Sequence, residues 1–289
     1  MGVNRAITDR FKAAISQRFK MRDLGPLQSF LGMEITRDRA ARTITVTMQG
    51  HIREMAMRFG VEQAKGTDTP LPPKMLLSPD EDGTKLGPRT PYRAIVGSLL
   101  YIATWVRPDI AFAVTQLARF QQAPTELHWG SAKHVLRYLK ATCGLGIVYQ
   151  ALVREGSAAA RLAPGPNGLG SQQLYGFVDA SWGEDPSTRR SQSAYVFMIG
   201  NAAVSWQSKL QHTVALSSCE AEYLSLSAAV KALHLRYLLS DILSHSVLNQ
   251  PILLFEPRTT RAATSSSPRT SRRRLPAPST LISDTYTTM

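Results

Sequence analysis

The sequence is poor in the features that define secreted, membrane-spanning or disulfide-rich proteins. It has only two cysteines, Cys143 and Cys219, which are too few for a disulfide framework or a four-cysteine zinc site. No apolar run approaches the roughly 18 residues that cross a bilayer, and the first residues lack the apolar core of a signal peptide. We therefore expect an intracellular protein, cytoplasmic or nuclear, with reduced thiols and no membrane partner.

Acidic residues are also scarce relative to basic ones. The chain has 34 Lys and Arg against 21 Asp and Glu, which gives a formal net charge of +13. That excess favours phosphate-bearing partners such as nucleic acids, but it does not indicate sequence specificity. Hydrophobic residues make up 43% of the chain, which is enough for packed cores and excludes a wholly disordered protein.

Changes in composition divide the chain into four parts. Residues 1–150 predict a mainly helical region, and residues 151–173, rich in Gly, Ala and Pro, predict a linker. Residues 174–256 predict an α/β domain of three strands, a helix over 219–243 and a returning apolar strand that should be central. Residues 257–289 form a basic tail rich in Ser, Thr and Arg, which we predict to be disordered.

Apolar periodicity predicts several helices in the first 150 residues. A helix over 5–19 is predicted because apolar residues recur every fourth position. The four residues of this stripe are Ile7, Phe11, Ile15 and Phe19. Residues 43–48 alternate as a β-branched strand, and further helices are predicted over 92–105, 110–122 and 125–141. The second of these should bury Ile110, Ala113, Val114, Leu117 and Phe120.

The helix over 125–141 carries three basic residues on the side that we predict to be exposed. These residues are Lys133, Arg137 and Lys140. Their spacing is compatible with a face that follows a nucleic-acid backbone. It is equally compatible with an ordinary solvated helix surface, so charge alone leaves both interpretations open.

Two carboxylates in the α/β domain are candidate metal ligands. Asp179 ends an apolar strand, and Glu220 lies in the first turn of the helix that follows. If that helix packs across the sheet, both carboxylates converge near the strand end, where oxygen donors suit Mg²⁺ and phosphodiester cleavage by two ions. The alternatives are structural, because Ser217 and Glu220 fit a helix capping box and Asp179 could initiate a turn.

The ordered set of motifs resembles the polyprotein of copia-type retrotransposons from about residue 5 to residue 255. The motifs in the helical region are FKMRDLG at 19–25, FLGMEI at 30–35, VGSLLY at 96–101, RPDI at 107–110 and VLRYLK at 135–140. Those in the α/β domain are FVDASW at 177–182, SWQSK at 205–209 and ALSSCEAEY at 215–223. Together they are highly specific for this family.

The resemblance implies an α/β architecture in which the thumb and connection helices of a reverse transcriptase precede a ribonuclease H-like mixed sheet with a packed helix. It implies that the polymerase's own metal-binding motif lies upstream of residue 1. Asp179 and Glu220 match the family's first catalytic Asp and its catalytic Glu, with Mg²⁺ as cofactor. Ser181 stands where the family often has a second Asp, and Pro257 stands at the third catalytic Asp.

The tail is compatible with a frameshift after Glu256. Family-like codons for Glu-Asp-Asn-Gln, read one base late, spell Arg-Thr-Thr-Arg, the sequence of residues 258–261. Codons for His-Ile-Asp-Ile-Arg-Tyr, shifted in the same way, spell residues 280–285. The resemblance thus implies a frameshifted or truncated fragment that ancestrally cleaved the RNA of RNA–DNA hybrids within a larger Pol polyprotein. The alternative is a non-catalytic nucleic-acid-binding remnant.

Overall fold

The computed structural model describes residues 5–73, 75–79, 83–150, 174–199, 202–227, 229–243, 252–255 and 273–274. We call the described residues between 5 and 150 the helical region, and those between 174 and 255 the sheet region. Apart from two residues of the tail, the predicted linker and the tail lie outside the described residues. None of the helices in the described ranges is long and apolar enough to cross a membrane.

The helical region contains five helices and one small sheet among its described residues. In chain order the elements are α1 (Arg5–Arg18), β1 (Ser29–Phe30), β2 (Met33–Asp38), β3 (Thr43–Thr47), α2 (Gln49–Arg58), α3 (Tyr92–Trp105), a 3₁₀ turn (Pro108–Ile110), α4 (Ala111–Ala118), α5 (Glu126–Ala141) and β4 (Ile147–Gln150). The four strands form an antiparallel sheet in the order β1-β2-β3-β4.

The apolar faces of α2 to α5 meet in one core. Ile95, Leu99 and Ile102 of α3 are fully buried, and they pack with the apolar sides of α4 and α5. All five residues that we predicted on the buried side of the helix over 110–122 are buried. The periodicity of the sequence therefore identifies the inner faces of these helices correctly.

Helix α1 forms as predicted, but its apolar stripe is exposed. Ile7, Phe11 and Phe19 expose 61%, 64% and 64% of their surface, and Ile15 is half-buried. A 3.6-residue period of apolar residues indicates that a helix has one apolar face. Burial of that face requires another element that packs against it. Within the described part of the chain, no element covers this stripe.

The sheet region follows the predicted order of elements, with one difference in the helix. Its elements are β5 (Tyr175–Ser181), β6 (Gln192–Ile199), β7 (Ala202–Leu210), α6 (Ser218–Leu226), α7 (Ala229–Leu243) and β8 (Leu253–Phe255). The single helix predicted over 219–243 is two helices. At the break, Ser227 N bonds to Leu224 O and Val230 N bonds to Ser227 O, so bonds of the i−3 type terminate the first helix.

The second sheet has the order β7-β6-β5-β8-β9. Strand β8 pairs in parallel with β5, whereas β5–β6 and β6–β7 are antiparallel. As predicted, β8 is central, because a short strand β9 (Arg273–Arg274) pairs with its other edge. Within the predicted tail, these two residues are the ones that the structure describes.

The core of the sheet region lies between the sheet and helix α7. Val178, Phe197 and Leu254 pack there with Ala232. Gly176 is required in β5, since a Cβ at this position would lie 2.4 Å from the ring of Phe197 on the neighbouring strand.

The two regions contact one another through strand β7. Trp206 Nε1 donates a 2.7 Å hydrogen bond to Ala103 O, and Thr115 Oγ1 donates a 3.2 Å bond to Ser208 O. These bonds position the sheet against α3 and α4, so that a cleft forms between the two regions.

Candidate functional site

The cleft is lined by one face of β5. Because side chains alternate along a strand, Val178 enters the core at 1% exposure, while Phe177, Asp179 and Ser181 line a cavity of about 790 Å³. Pro108 and Phe112 of the helical region line the same cavity, as does Trp206 of β7.

Asp179 is exposed, but the strand does not end there as predicted, because β5 continues to Ser181. Its Oδ1 accepts a 2.9 Å hydrogen bond from the N–H of Ala180. Glu184 also lines the cavity, although the sequence analysis did not identify it. Its position three residues beyond the end of β5 was the available signal, because the loop that follows a strand shares that strand's edge of the sheet.

Asp109 lines the same cavity, but its carboxylate is bound within the protein. Arg107, which is 2% exposed, donates to it from Nη2 at 2.7 Å, and Tyr138 OH donates at 2.8 Å. Burial raises the pKa of Asp109, but the hydrogen bonds and charge of Arg107, together with Tyr138, outweigh burial and hold this pKa below its ordinary value. Asp109 is therefore an ionised structural group.

Glu220 lies at the start of α6, which packs on β5 and β6. Ser217 Oγ accepts a 3.1 Å hydrogen bond from Glu220 N, and Glu220 Oε2 accepts a 2.6 Å bond from Leu216 N. Ser217 therefore caps the helix, as the structural alternative predicts, but Glu220 bonds to Leu216 N and not to Ser217 N, so the capping box is incomplete. The helix packs on the sheet, yet Glu220 is not among the residues that line the cleft of Asp179.

The described residues do not form a complete Mg²⁺ site. Asp179 and Glu220 offer oxygen donors of the type that Mg²⁺ prefers. However, no group of three or more His, Cys, Asp or Glu side chains that could hold a metal occurs in the described ranges. Pro257, which the resemblance puts at the position of the third ligand, and its neighbour Glu256 lie outside the described residues. The metal role of Asp179 and Glu220 stays a prediction.

The three basic residues of α5 are less available than we predicted. Lys133, Arg137 and Lys140 are half-buried. Arg137 Nε donates a 2.6 Å bond to Lys65 O, and Lys140 Nζ donates to the carbonyls of Glu62, at 2.9 Å, and Ala64. The prediction that all three form an exposed face is therefore wrong, because all are half-buried and Arg137 and Lys140 fasten α5 to the segment 62–65. Lys133 Nζ lies 5.0 Å from the ring centre of Trp129, and nucleic-acid binding by these residues stays a prediction.

Asp185 is a second structural carboxylate that the sequence analysis missed. Its side chain is fully buried in the loop between β5 and β6, and it forms a 2.8 Å ion pair with Arg119 of the helical region. Thr188 N donates to its Oδ2 at 3.1 Å. Burial raises the pKa of Asp185. These hydrogen bonds and the charge of Arg119 lower the pKa by more than burial raises it, so that it lies below its ordinary value.

Several of the known proteins similar to this chain are transposon proteins. It is 34% identical over 238 residues to the retrovirus-related Pol polyprotein from transposon TNT 1-94 of Nicotiana tabacum, which is 80% of this chain and 16% of the relative. It is 34% identical over 225 residues to the putative transposon Ty5-1 protein of Saccharomyces cerevisiae, covering 78% of this chain and 67% of the relative. No family model and no solved structure matches the chain.

These similarities establish the class of protein. The chain belongs to the retrotransposon Pol polyprotein family, as the resemblance in its motifs predicts. It spans between 13% and 16% of the length of three plant polyproteins that it matches. It is also 40% identical over 141 residues to secreted RxLR effector protein 161 of Plasmopara viticola, covering 87% of that protein and 49% of this chain.

Proposed function

We propose that this chain is the C-terminal part of a copia-type reverse transcriptase joined to an incomplete ribonuclease H-like domain. The observation that carries the proposal is the position of Asp179. It lies on a central strand that has an antiparallel neighbour, β6, on one side and a parallel neighbour, β8, on the other. The helix that bears Glu220 packs against that strand. The intact ancestor would cleave the RNA strand of RNA–DNA hybrids during retrotransposition.

This polypeptide should cleave such hybrids poorly or not at all. Cleavage by two ions requires several carboxylates to hold the metals about 3.5–4 Å apart, and the described residues supply too few. Pro257 occupies the position of the third carboxylate. The sequence predicts that Glu256 does not replace it, since consecutive side chains of an extended segment point to opposite faces.

A cleavage assay tests this proposal directly. The 289-residue chain and a version with the reading frame restored after Glu256 are compared on RNA–DNA hybrid in Mg²⁺. We expect activity only from the restored version, and we expect Asp179→Asn to abolish it. The matched control is Asp9→Asn on the exposed surface of α1, which should leave the activity unchanged.

Two results would contradict the proposed function. If the chain as given cleaves as fast as the restored version, and Asp179→Asn abolishes that cleavage, the site is complete without residue 257. If the restored version is inactive although folded, the ribonuclease H assignment is wrong.

The second candidate function is binding of nucleic acid without catalysis. The net charge of +13 favours it, and Lys133 is the residue of α5 whose ammonium is not held by the segment 62–65. Hybrid binding measured without Mg²⁺ should weaken between about 50 and about 200 mM salt, and Lys133→Gln should lower the salt slope by about one unit. Affinity that does not change with salt would exclude this function.

The rest of a Pol polyprotein is the proposed partner in the intact element. The exposed apolar stripe, formed by Ile7 and Phe11 of α1 and by Phe19 directly after the helix, supports this, because such a face gains stability only when another element covers it. Primer extension by this chain should be absent, since the Tyr-Val-Asp-Asp motif of the family's polymerases does not occur in the sequence. Extension that persists through further purification would contradict the assignment of residues 1–150.

A further inference from the structure

The cleft between the two regions has the size and the lining of an organic ligand site. Its volume of about 790 Å³ lies within the range of roughly 300–1,000 Å³ that is usual for small-molecule sites. Most of the residues that line it are apolar. Sites of this kind occur preferentially where two packed units meet, with a few polar groups that select the ligand.

Three aromatic side chains contribute to the wall of the cleft, each from a different element. They are Phe112 of α4, Phe177 of β5 and Trp206 of β7. Trp206 is held in place because its Nε1 donates the hydrogen bond to Ala103 O, and the ring centre of Phe177 lies 5.4 Å from that of Phe255. Aromatic side chains fixed in this way favour ligands that are flat or cationic.

The charge of the cleft wall is opposite in sign to that of the chain. Although the net charge is +13, the described residues of the wall include Asp109, Asp179 and Glu184 and no Lys, Arg or His. The ion pair with Arg107 offsets Asp109. Asp179 and Glu184 form no ion pair with any residue that the structure describes, so two carboxylates in the cleft remain without a cation.

Aromatic walls and unpaired carboxylates together select one kind of ligand. The rings attract a cation through their quadrupoles, and the carboxylates attract the same cation and repel phosphates. An uncharged aromatic ligand contacts the walls but gains nothing from the carboxylates. A small aliphatic cation pairs with the carboxylates but leaves the apolar walls uncovered.

We propose that the cleft binds a flat aromatic cation. Its ring system packs against Phe112, Phe177 and Trp206, and its positive charge lies near Asp179 and Glu184. The site shares Asp179 with the proposed nuclease. Binding requires neither Mg²⁺ nor the residues after Glu256, however, so this proposal does not rest on the nuclease function.

A matched pair of ligands tests the role of charge. N-methylacridinium and acridine have the same flat ring system, but the first is a permanent cation and the second is neutral at pH values above neutrality. In a fluorescence titration of the full chain, free of nucleic acid and in EDTA, N-methylacridinium should bind about five-fold more tightly than acridine. Equal affinities would overturn the proposal, and so would the absence of N-methylacridinium binding.

The substitution Glu184→Gln tests whether the cation binds in this cleft. It keeps the size of the side chain and removes its charge, so N-methylacridinium should bind about three-fold more weakly, whereas acridine should bind as before. Unchanged acridine binding shows that the cavity is intact. The matched control is Glu222→Gln, an exposed glutamate of α6 that is not among the residues lining the cavity. If both variants weaken cation binding equally, the attraction is diffuse and the cleft is not the site.

Competition separates the aromatic cation from other cationic occupants. Neither tetramethylammonium nor an arginine tetrapeptide should displace N-methylacridinium at concentrations comparable with its own. Displacement by the peptide would assign the cleft to a basic protein segment, and displacement by tetramethylammonium would show that the aromatic ring is not required. Either result would overturn the proposal. No Mg²⁺-dependent cleavage occurs in EDTA, so the outcome of these titrations and that of the nuclease assay are independent.

Discussion

The helical region and the sheet region hold their charged side chains in different ways, although both contribute an aspartate to one cleft. Asp109 is bound by Arg107 and Tyr138, and Arg107 is almost completely buried. Asp179 is exposed and accepts a hydrogen bond from its neighbour Ala180. Charges of the first kind stabilise the fold, whereas those of the second kind stay accessible to a ligand. Substitutions should therefore separate the two aspartates by their effect on stability.

The largest effect should follow the loss of Arg107. Its guanidinium donates to Asp109 and, from Nη1 and Nη2, to Thr142 O at 3.0 Å and Thr142 Oγ1 at 2.7 Å. Arg107→Ala leaves these acceptors unpaired, so we expect the free energy of unfolding to fall by about 3–5 kcal/mol. Urea unfolding measures this, and Arg53→Ala on the exposed side of α2 is the control. A loss below about 1 kcal/mol would show that Arg107 is dispensable.

The next largest effect should come from Asp185, the carboxylate that joins the two regions. Asp185→Asn removes its charge from the pair with Arg119, and we expect a loss of about 2 kcal/mol at neutral pH. Because the pKa of Asp185 is lowered in the folded state, its contribution is complete above its unfolded pKa of about 3.9 and disappears as pH falls through the folded pKa.

The pH dependence provides the decisive measurement for Asp185. The difference in unfolding free energy between the unchanged chain and Asp185→Asn should narrow as pH falls below about 4. A difference that stays constant down to that range would mean that the carboxylate's charge is not what stabilises the loop.

How far the sequence predicts the fold depends on how local the deciding interactions are. Helix α3 was predicted to the residue, because its apolar period ends at Trp105 before Arg107 and Pro108. The central position of β8 followed from its wholly apolar composition. The break between α6 and α7 was not predicted, since the apolar pattern continues across it.

Long-range contacts account for most of what the sequence analysis missed. The positions of Arg137 and Lys140 were predicted, but their hydrogen bonds to main-chain carbonyls about seventy residues earlier were not. The position of Glu220 in the first turn of its helix was predicted correctly, because helix caps are local. The predicted strand end at Asp179 was two residues too early, since β5 continues to Ser181. The part of the cleft wall formed by Pro108 and Phe112 depends on how the two regions pack.

A smaller effect should follow removal of the cap of α6. Ser217 Oγ accepts from the first turn of this helix, and Ser217→Ala should cost about 1 kcal/mol of stability. Ser218→Ala, one residue further along, is a matched control because Ser218 is inside the helix. Equal effects of the two substitutions would contradict the capping role, and with it the structural interpretation of the segment that carries Glu220.

The smallest effect should be that of Asp179 itself, and this is the sharpest test of the contrast with the helical region. Its neighbour Val178 points into the core at 1% exposure, so Val178→Ala should cost about 2 kcal/mol. Asp179→Asn keeps the size of the side chain and removes only its charge, and we expect a change in stability within about 0.5 kcal/mol. Chemical denaturation of both variants at neutral pH compares the two faces of one strand. If Asp179→Asn destabilises the chain as much as Val178→Ala does, Asp179 belongs with Asp109 and Asp185 among the structural carboxylates. If Asp179→Asn leaves the stability unchanged, ligand binding remains as the property that this aspartate serves.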